Sequence, residues 1–187
     1  MNTTLLNIGK RLEKNPVRNY AGTICIKDNK ATITNGFALM QWLPEYDIGE
    51  DRILKPDLSE SSVSYPNYDA VIPNFKEADR IKDCWALGYL FEALRGIKQT
   101  SAAMHLWLKV ETQMEVPFFF VPACKQKSQA FPHLPTFNVS LLTQYLKGIN
   151  LRTITPISAH CNGEILQLVF KSEGETYKII LVAIKVK

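Results

Sequence analysis

Apolar residues recur at helical spacing in three segments of the chain, and runs rich in β-branched and aromatic residues lie between them. The helical segments are residues 3–14, 83–97 and 138–149. We expect Thr3 or Thr4 to cap the first helix and Asn138 to cap the third. The predicted strands are residues 21–27, 31–34, 37–43, 52–54, 104–111, 116–121, 153–159, 164–170 and 177–186.

The order of these elements is a helix followed by strands, three times, with a recurrence of roughly 60 residues. Most of the connections between strands are too short to contain a crossover helix, so the strands should pair in antiparallel fashion. The pattern therefore predicts an α+β fold in which antiparallel sheets carry helices on one face.

One segment is too constrained for a helix and too apolar for a free linker. This segment, residues 65–73, is named the strap and reads Tyr-Pro-Asn-Tyr-Asp-Ala-Val-Ile-Pro. Pro66 and Pro73 favour an extended run. Its large side chains, Tyr65, Tyr68, Val71 and Ile72, should pack where two structural units meet. The alternative is an ordinary loop held against its own core.

Composition limits the class of protein without fixing the function. The 187 residues are 46% hydrophobic and 21% charged, which is typical of globular proteins with one large domain or two small ones. A formal charge of +4 permits a polyanionic partner but does not require one. No apolar run is long enough for a membrane helix and no secretory signal is present, so we expect a cytoplasmic protein without a membrane partner.

The sequence contains no recognisable catalytic or cofactor motif. A phosphate loop, a nucleophile elbow, a zincin helix and a calcium loop are all missing, so no cofactor or metal is expected. The four cysteines lie far apart, without a Cys-x-x-Cys pair, and indicate buried thiols in a reducing compartment. One enzymatic alternative remains, a cysteine hydrolase that pairs Cys161 with His160 or Cys124 with His133.

Four stretches, in order along the chain, resemble the bacterial β sliding clamp, the processivity factor of the replicative DNA polymerase. The strap is similar to the clamp segment Phe/Tyr-Pro-Asp-Tyr-x-x-Val-Ile/Leu-Pro, with Asn67 in place of the Asp. Residues 31–39 are similar to Ala-Thr-Asp-Gly-His-Arg-Leu, and residues 137–142 resemble the Phe-Asn-x-x-Tyr-Leu opening of the last clamp helix. Residues 181–186 resemble the terminal clamp strand.

The resemblance implies a DNA-clamp-like fold in a shortened or divergent chain. A clamp subunit has three domains and six helices, whereas three helices are predicted here, about half a subunit. The expected division is a first clamp-like half-domain over residues 1–64 and a second clamp-like domain over 65–187. The alternative is one clamp-like domain, residues 1–187, with a central insertion.

The resemblance also implies a site for short linear peptides of replication or repair proteins. In clamps the corresponding pieces converge on one apolar pocket. Its expected lining here is Thr34, Gly36, Phe37, Leu39, Pro66, Val71, Val182, Ile184 and Lys185. Besides Asn67, three positions depart from the clamp pattern, because Phe37 and Ala38 replace His and Arg and Ala183 replaces Pro. The alternative is that these residues only stabilise the interface between the halves and do not bind a peptide.

Clamp helices present basic side chains to the phosphates of double-stranded DNA without reading its sequence. By this likeness the expected DNA-binding residues are Lys10, Arg11, Lys14 and Arg18, followed by Lys98, Lys147 and Arg152. Encircling a duplex would require a homo-oligomer. The resemblance therefore implies a non-enzymatic, clamp-like replication scaffold. The alternative is an adaptor without a ring, of the kind a phage or mobile element could encode, that uses only the peptide pocket.

Overall fold

The computed structural model describes residues 1–14, 16–81, 90–92, 104–108, 118–122 and 136–183. Within these residues two helices of more than one turn are present, α1 (Thr3–Lys14) and α2 (Val139–Leu146). The predicted helix over residues 83–97 lies outside the described residues except at 90–92, which are helical. No helix in the described part of the chain is long and apolar enough to cross a membrane.

Side-chain caps fix where both helices begin. The Oδ1 atom of Asn138 accepts hydrogen bonds from the amides of Ser140 and Leu141, as predicted. For α1 the prediction of a threonine cap is wrong, because Asn2 Oδ1 accepts from the amides of Thr4 and Leu5. Asn2 reaches the amides two and three residues ahead, which is the geometry an N-cap requires.

Nine of the ten strands in the described residues match the predicted segments, with shifts at their ends, and the strand over Thr136–Asn138 was not predicted. The strands are β1 (Ile24–Lys27), β2 (Lys30–Thr34), β3 (Ala38–Leu43), β4 (Arg52–Leu54), β5 (Met104–Leu108), β6 (Phe118–Pro122), β7 (Thr136–Asn138), β8 (Thr155–Cys161), β9 (Ile165–Ser172) and β10 (Glu175–Val182). Strand β6 begins directly after Pro117, which has no amide hydrogen to offer a ladder.

Seven strands form one continuous antiparallel sheet in the order β4-β1-β2-β3-β10-β9-β8. Strands β1 to β4 come from the first predicted unit and β8 to β10 from the second. The two sets join where β3 pairs with β10, in a register that runs from Leu181 opposite Ala38 to Thr176 opposite Leu43. A smaller antiparallel sheet has the order β6-β5-β7. The α+β prediction is confirmed.

Side chains of the large sheet alternate between two apolar layers, as the strand period of two requires. On one face α1 packs on β1 and β2, and α2 packs on β3 and β10. The largest side chains buried in this core include Trp42, Tyr145, Phe137 and Phe170. The opposite face carries a smaller cluster of Cys25, Leu39, Tyr68 and Ile180. The strap supplies part of that second layer.

The strap packs on side chains of β1, β3 and β10, which come from both predicted units, and the division of the chain into those two units stays a prediction. Tyr65 and Ile72 pack beside Tyr68 in the smaller cluster, whereas Val71 points outward. The prediction of a wholly extended run is wrong, because Tyr68–Ala70 forms a 3₁₀ turn in which the amide of Val71 donates to the carbonyl of Tyr68. The prolines restrict only their own and the preceding residue, which leaves the middle of the strap free to turn and bury Tyr68.

Candidate functional site

An apolar groove lies where the turn between β2 and β3, the strap and the end of β10 meet, and its volume is about 260 Å³. We name it the strap groove. Seven of the residues predicted for the peptide site line it: Thr34, Gly36, Phe37, Leu39, Pro66, Val71 and Val182. The other two, Ile184 and Lys185, lie outside the described residues. Three segments distant in sequence thus form one cavity.

The rim of the groove exposes large apolar side chains. The exposed fraction is 49% for Phe37, 66% for Val71 and 49% for Val182. Each belongs to a different one of the three segments. Clustered exposed apolar side chains are unfavourable in water and mark sites where another molecule binds. The groove can therefore bury apolar groups of a ligand at ~25 cal/mol per Å².

The turn between β2 and β3 shapes one side of the groove. Gly36 has φ +91°, and a Cβ atom there would lie 3.0 Å from the Tyr20 hydroxyl. Glycine is thus required both for the left-handed backbone and for the close approach of the tyrosine. Asn35 Oδ1 accepts hydrogen bonds of 3.0 Å from the amides of Phe37 and Ala38 and closes the turn.

Tyrosine rings anchor the strap side of the groove to the sheet. The Tyr65 hydroxyl donates a 2.9 Å hydrogen bond to the carbonyl of Thr32 in β2. The Tyr65 ring lies edge-on to Tyr68, with centroids 6.0 Å apart, and 5.9 Å from the ring of Tyr20. Burial raises the pKa of Tyr68 to about 12, so its hydroxyl is neutral at physiological pH.

Sequence reasoning missed several residues of the groove. They are Tyr20, Ala38, Asn67, Tyr68, Ile72, Ile165 and Ile180. Ile180 could have been found from the alternation along β10, since it lies two residues from Val182 and on the same face of the strand. Ile165 could not, because only the pairing of β9 with β10 brings it opposite Val182.

A second apolar groove of about 540 Å³ adjoins the first one, between α1, α2 and the end of β10. The two grooves share Phe37 and Val182. The remaining lining residues of the second groove are Leu12, Val17, Ala21, Asn35, Asn138, Leu141, Gln144 and Ala183. The Phe37 side chain therefore stands between two neighbouring apolar depressions.

The basic residues predicted to bind DNA differ in their surroundings. Lys10, Lys14, Lys147 and Arg152 are exposed, and within the described residues none of them forms an ion pair. Arg18 is also exposed, but its side chain lies beside Gly36, with Cγ 3.5 Å from where a Cβ would be, close to the strap groove. Lys98 lies outside the described residues.

Arg11 connects the two helices. Its Nη2 atom donates to the carbonyls of Lys147 at 2.6 Å and Gln144 at 3.3 Å, at the C-terminal end of α2. A cation at a helix C-terminus interacts favourably with the helix dipole and with carbonyls that have no partner in the helix. The geometry gives Arg11 a role in packing α1 against α2, whatever it contributes to binding.

The two described cysteines, Cys25 and Cys161, are buried free thiols. Burial raises the pKa of Cys161 to about 11 and also raises the pKa of Cys25. A nucleophilic cysteine needs the opposite shift, because the thiolate is the reactive form. Among the described residues no group of three or more His, Cys, Asp or Glu side chains could hold a metal ion. Cys124 and His133 lie outside the described residues.

Solved structures of bacterial sliding clamps are similar to this chain. DNA polymerase III subunit beta from Borrelia burgdorferi, determined in complex with a natural product, aligns with a TM-score of 0.51 at 14% identity, over 98% of this chain and 62% of that chain. The DNA polymerase sliding clamp from Pseudomonas aeruginosa, determined with a ligand, gives 0.47 at 12% identity over 98% of this chain and 65% of that one.

The likeness is one of fold, and it spans only part of the clamp. The chain corresponds to 62% of the length of the Borrelia protein, and identity is too low to carry residue roles across. No protein-family model matches the sequence. No curated protein matches it either. The fold predicted from the four clamp-like stretches is nevertheless confirmed.

Proposed function

We propose that this chain, whose fold is similar to part of a DNA polymerase III subunit beta, is a clamp-like docking scaffold whose strap groove binds short apolar peptides of DNA-associated proteins. The observation that carries the proposal is the convergence of three exposed apolar side chains, Phe37, Val71 and Val182, on one groove. A core seam would bury such side chains rather than expose them. Binding would bury a few apolar side chains of the peptide, the usual source of affinity in such pockets.

Peptide binding can be tested with a defined probe. The probe is a fluorescein-labelled pentapeptide with adjacent leucine and phenylalanine in an otherwise polar sequence, and its control has serine at both positions. We expect fluorescence anisotropy to show saturable binding of the probe and none of the control. The variant Val71→Asp places a charge at the groove rim and should weaken binding at least tenfold, because the carboxylate must be desolvated.

Leu58→Asp is the matched control for this variant. Leu58 is an exposed apolar residue, at 50%, that lies away from the groove lining, and its φ of +71° is a conformation that aspartate tolerates. It introduces the same charge and should leave the affinity unchanged. Equal losses in the two variants, or no binding by the unmodified protein, would reject the peptide-docking proposal.

The scaffold role also includes weak, sequence-independent binding to double-stranded DNA. What supports it is the exposure of Lys10 and Lys14 in α1 and of Lys147 at the end of α2, none of which forms an ion pair within the described residues. Lysines that meet phosphates release counterions, so affinity should fall steeply with salt. Losing two such contacts should reduce the slope of log K against log salt by about two.

The DNA test compares two variants of equal charge. Lys10→Glu with Lys14→Glu and, as control, Lys55→Glu with Lys76→Glu each lower the formal charge from +4 to 0. Arg11 is left unchanged because it holds α2. Only the α1 variant should lose binding to a 30-base-pair duplex. Equal binding by both variants would contradict a DNA-facing α1, and solution mass with and without DNA separates a ring from an adaptor without one.

A further inference from the structure

The backbone turn that carries Phe37 into the groove is stabilised by hydrogen bonds within the turn and by hydrogen bonds from other elements. Inside the turn, Thr34 Oγ1 donates to the carbonyl of Ala38 at 2.7 Å and accepts from the amide of Gly36 at 3.0 Å. The amide of Asn35 also donates to the Ala38 carbonyl, at 3.3 Å. The Ala38 carbonyl is therefore the point at which the turn closes.

A side chain from the other half of the chain reaches the same carbonyl. The hydroxyl of Tyr145, in α2, donates a 2.9 Å hydrogen bond to Ala38 O across 107 positions of sequence. On the neighbouring residue, the amide of Val182 in β10 donates to the carbonyl of Phe37 at 3.2 Å. The turn from the first half is thus fixed by two elements from the second half.

Tyr145 is suited to this contact and does not itself line the groove. Its side chain is fully buried in the helix-side core, at 0% exposure. Burial raises the pKa of its hydroxyl, which therefore remains a protonated donor at physiological pH. Neither groove includes Tyr145 among its lining residues. Any effect of this residue on a bound peptide must pass through the turn.

We infer that Tyr145 is a positioning residue for the strap groove, fixing the turn so that Phe37 is presented in one orientation. The inference rests on the proposed peptide-binding function. A groove that is already formed binds without the cost of ordering the turn, and a turn that samples other conformations lowers apparent affinity by the fraction that is competent. Docking of α2 onto the sheet then determines whether the groove is complete.

The test is Tyr145→Phe, which removes one oxygen and keeps the ring. The Ala38 carbonyl retains Thr34 and Asn35 as donors, so the variant should fold. The matched control is Tyr177→Phe, which also removes a hydrogen-bonded hydroxyl from a buried tyrosine. That hydroxyl accepts from Asn2 at 2.8 Å and does not touch the turn.

Two readouts separate positioning from general stability. Amide hydrogen exchange at Asn35 and Ala38 in the free protein should be about three- to tenfold faster in Tyr145→Phe, the range expected for losing one hydrogen bond, and unchanged in Tyr177→Phe. The dissociation constant of the leucine-phenylalanine probe peptide should rise by a similar factor in Tyr145→Phe alone.

The outcomes are distinguishable. Exchange at the turn that is the same in Tyr145→Phe and the unmodified protein overturns the positioning role, whether or not the peptide binds. Faster exchange with an unchanged dissociation constant also overturns it, because the turn would then not limit binding. Failure of the unmodified protein to bind the probe instead contradicts the proposed function, while the exchange data still decide whether Tyr145 orders the turn.

Discussion

Gly9→Ala should destabilise the protein even though alanine is the better helix former. Gly9 lies inside α1, where the backbone meets the turn that contains Gly22. A Cβ atom on Gly9 would lie 2.7 Å from the carbonyl oxygen of Gly22, 3.0 Å from Pro56 and 3.4 Å from Ile33. The nearest atom belongs to the backbone and cannot rotate away, so the helix and the turn must move apart.

Two opposing contributions determine how much Gly9→Ala changes the free energy of unfolding. Alanine gains ~1 kcal/mol over glycine in a helix interior. Overpacking of this kind costs ~1–3 kcal/mol. The upper half of that range applies here because the new Cβ atom meets a backbone carbonyl and two further groups are close. The net change in the free energy of unfolding is a loss of about 1–2 kcal/mol. In urea this lowers the unfolding midpoint by about 0.5–1 M, for an m value of about 2 kcal/mol/M.

Asn7→Ala is the control within the same helix. Asn7 is exposed, so alanine brings only its better helix propensity and should raise the midpoint slightly. If Gly9→Ala raised the midpoint as much as Asn7→Ala, the close approach of α1 and the Gly22 turn would be refuted. The contact matters for the proposed function because the same turn contains Tyr20, which borders the strap groove.

Three further predictions concern the two helices and the buried Cys161 thiol and Tyr68 hydroxyl. Asn138→Ala removes the cap of α2 and should lower the free energy of unfolding by about 1 kcal/mol, which corresponds to a fall in Tm of about 2–4 °C. An unchanged Tm would show that the cap does not stabilise the helix. Arg11→Met should cost about 1 kcal/mol in urea unfolding by removing a donor from the end of α2, and no loss would contradict the helix-pairing role. Burial raises the pKa of Cys161 to about 11 and of Tyr68 to about 12. The folded state therefore holds these protons more tightly than the unfolded chain, and the free energy of unfolding should fall as pH rises above about 9. A urea midpoint that stayed constant from about pH 8 to pH 11 would contradict this prediction.

Local patterns predicted the elements because each depends on a few neighbouring residues. The apolar spacing in residues 3–14 and the strand alternation around Ile24 and Ile33 each bury one face on the same core. The hairpin between β1 and β2 likewise depends on adjacent residues, because Asp28 and Asn29 both tolerate the positive φ that a tight turn needs, and they adopt φ of 50° and 55°.

Contacts distant in sequence could not be predicted in the same way. Nothing near Asn2 in the sequence distinguishes it from Thr3 as a cap, since the choice depends on where the first turn of the helix begins. The bond between Tyr145 and Ala38 depends on how α2 docks across β3. The resemblance to clamps supplied seven groove residues only because it carried a three-dimensional arrangement that spacing alone does not contain.

The proposed function requires that the groove formed by the β2–β3 turn, the strap and the end of β10 recognises short apolar peptides. Its most direct test is a nuclear magnetic resonance titration of the ¹⁵N- and methyl-labelled protein with the leucine-phenylalanine probe peptide. We expect saturable shifts of the resonances of the Gly36 and Phe37 amides and of the Val71 and Val182 methyl groups, with no shift at Leu58. Shifts that spread over Leu58 and other exposed apolar residues, or no shift at the groove, would contradict the proposed function.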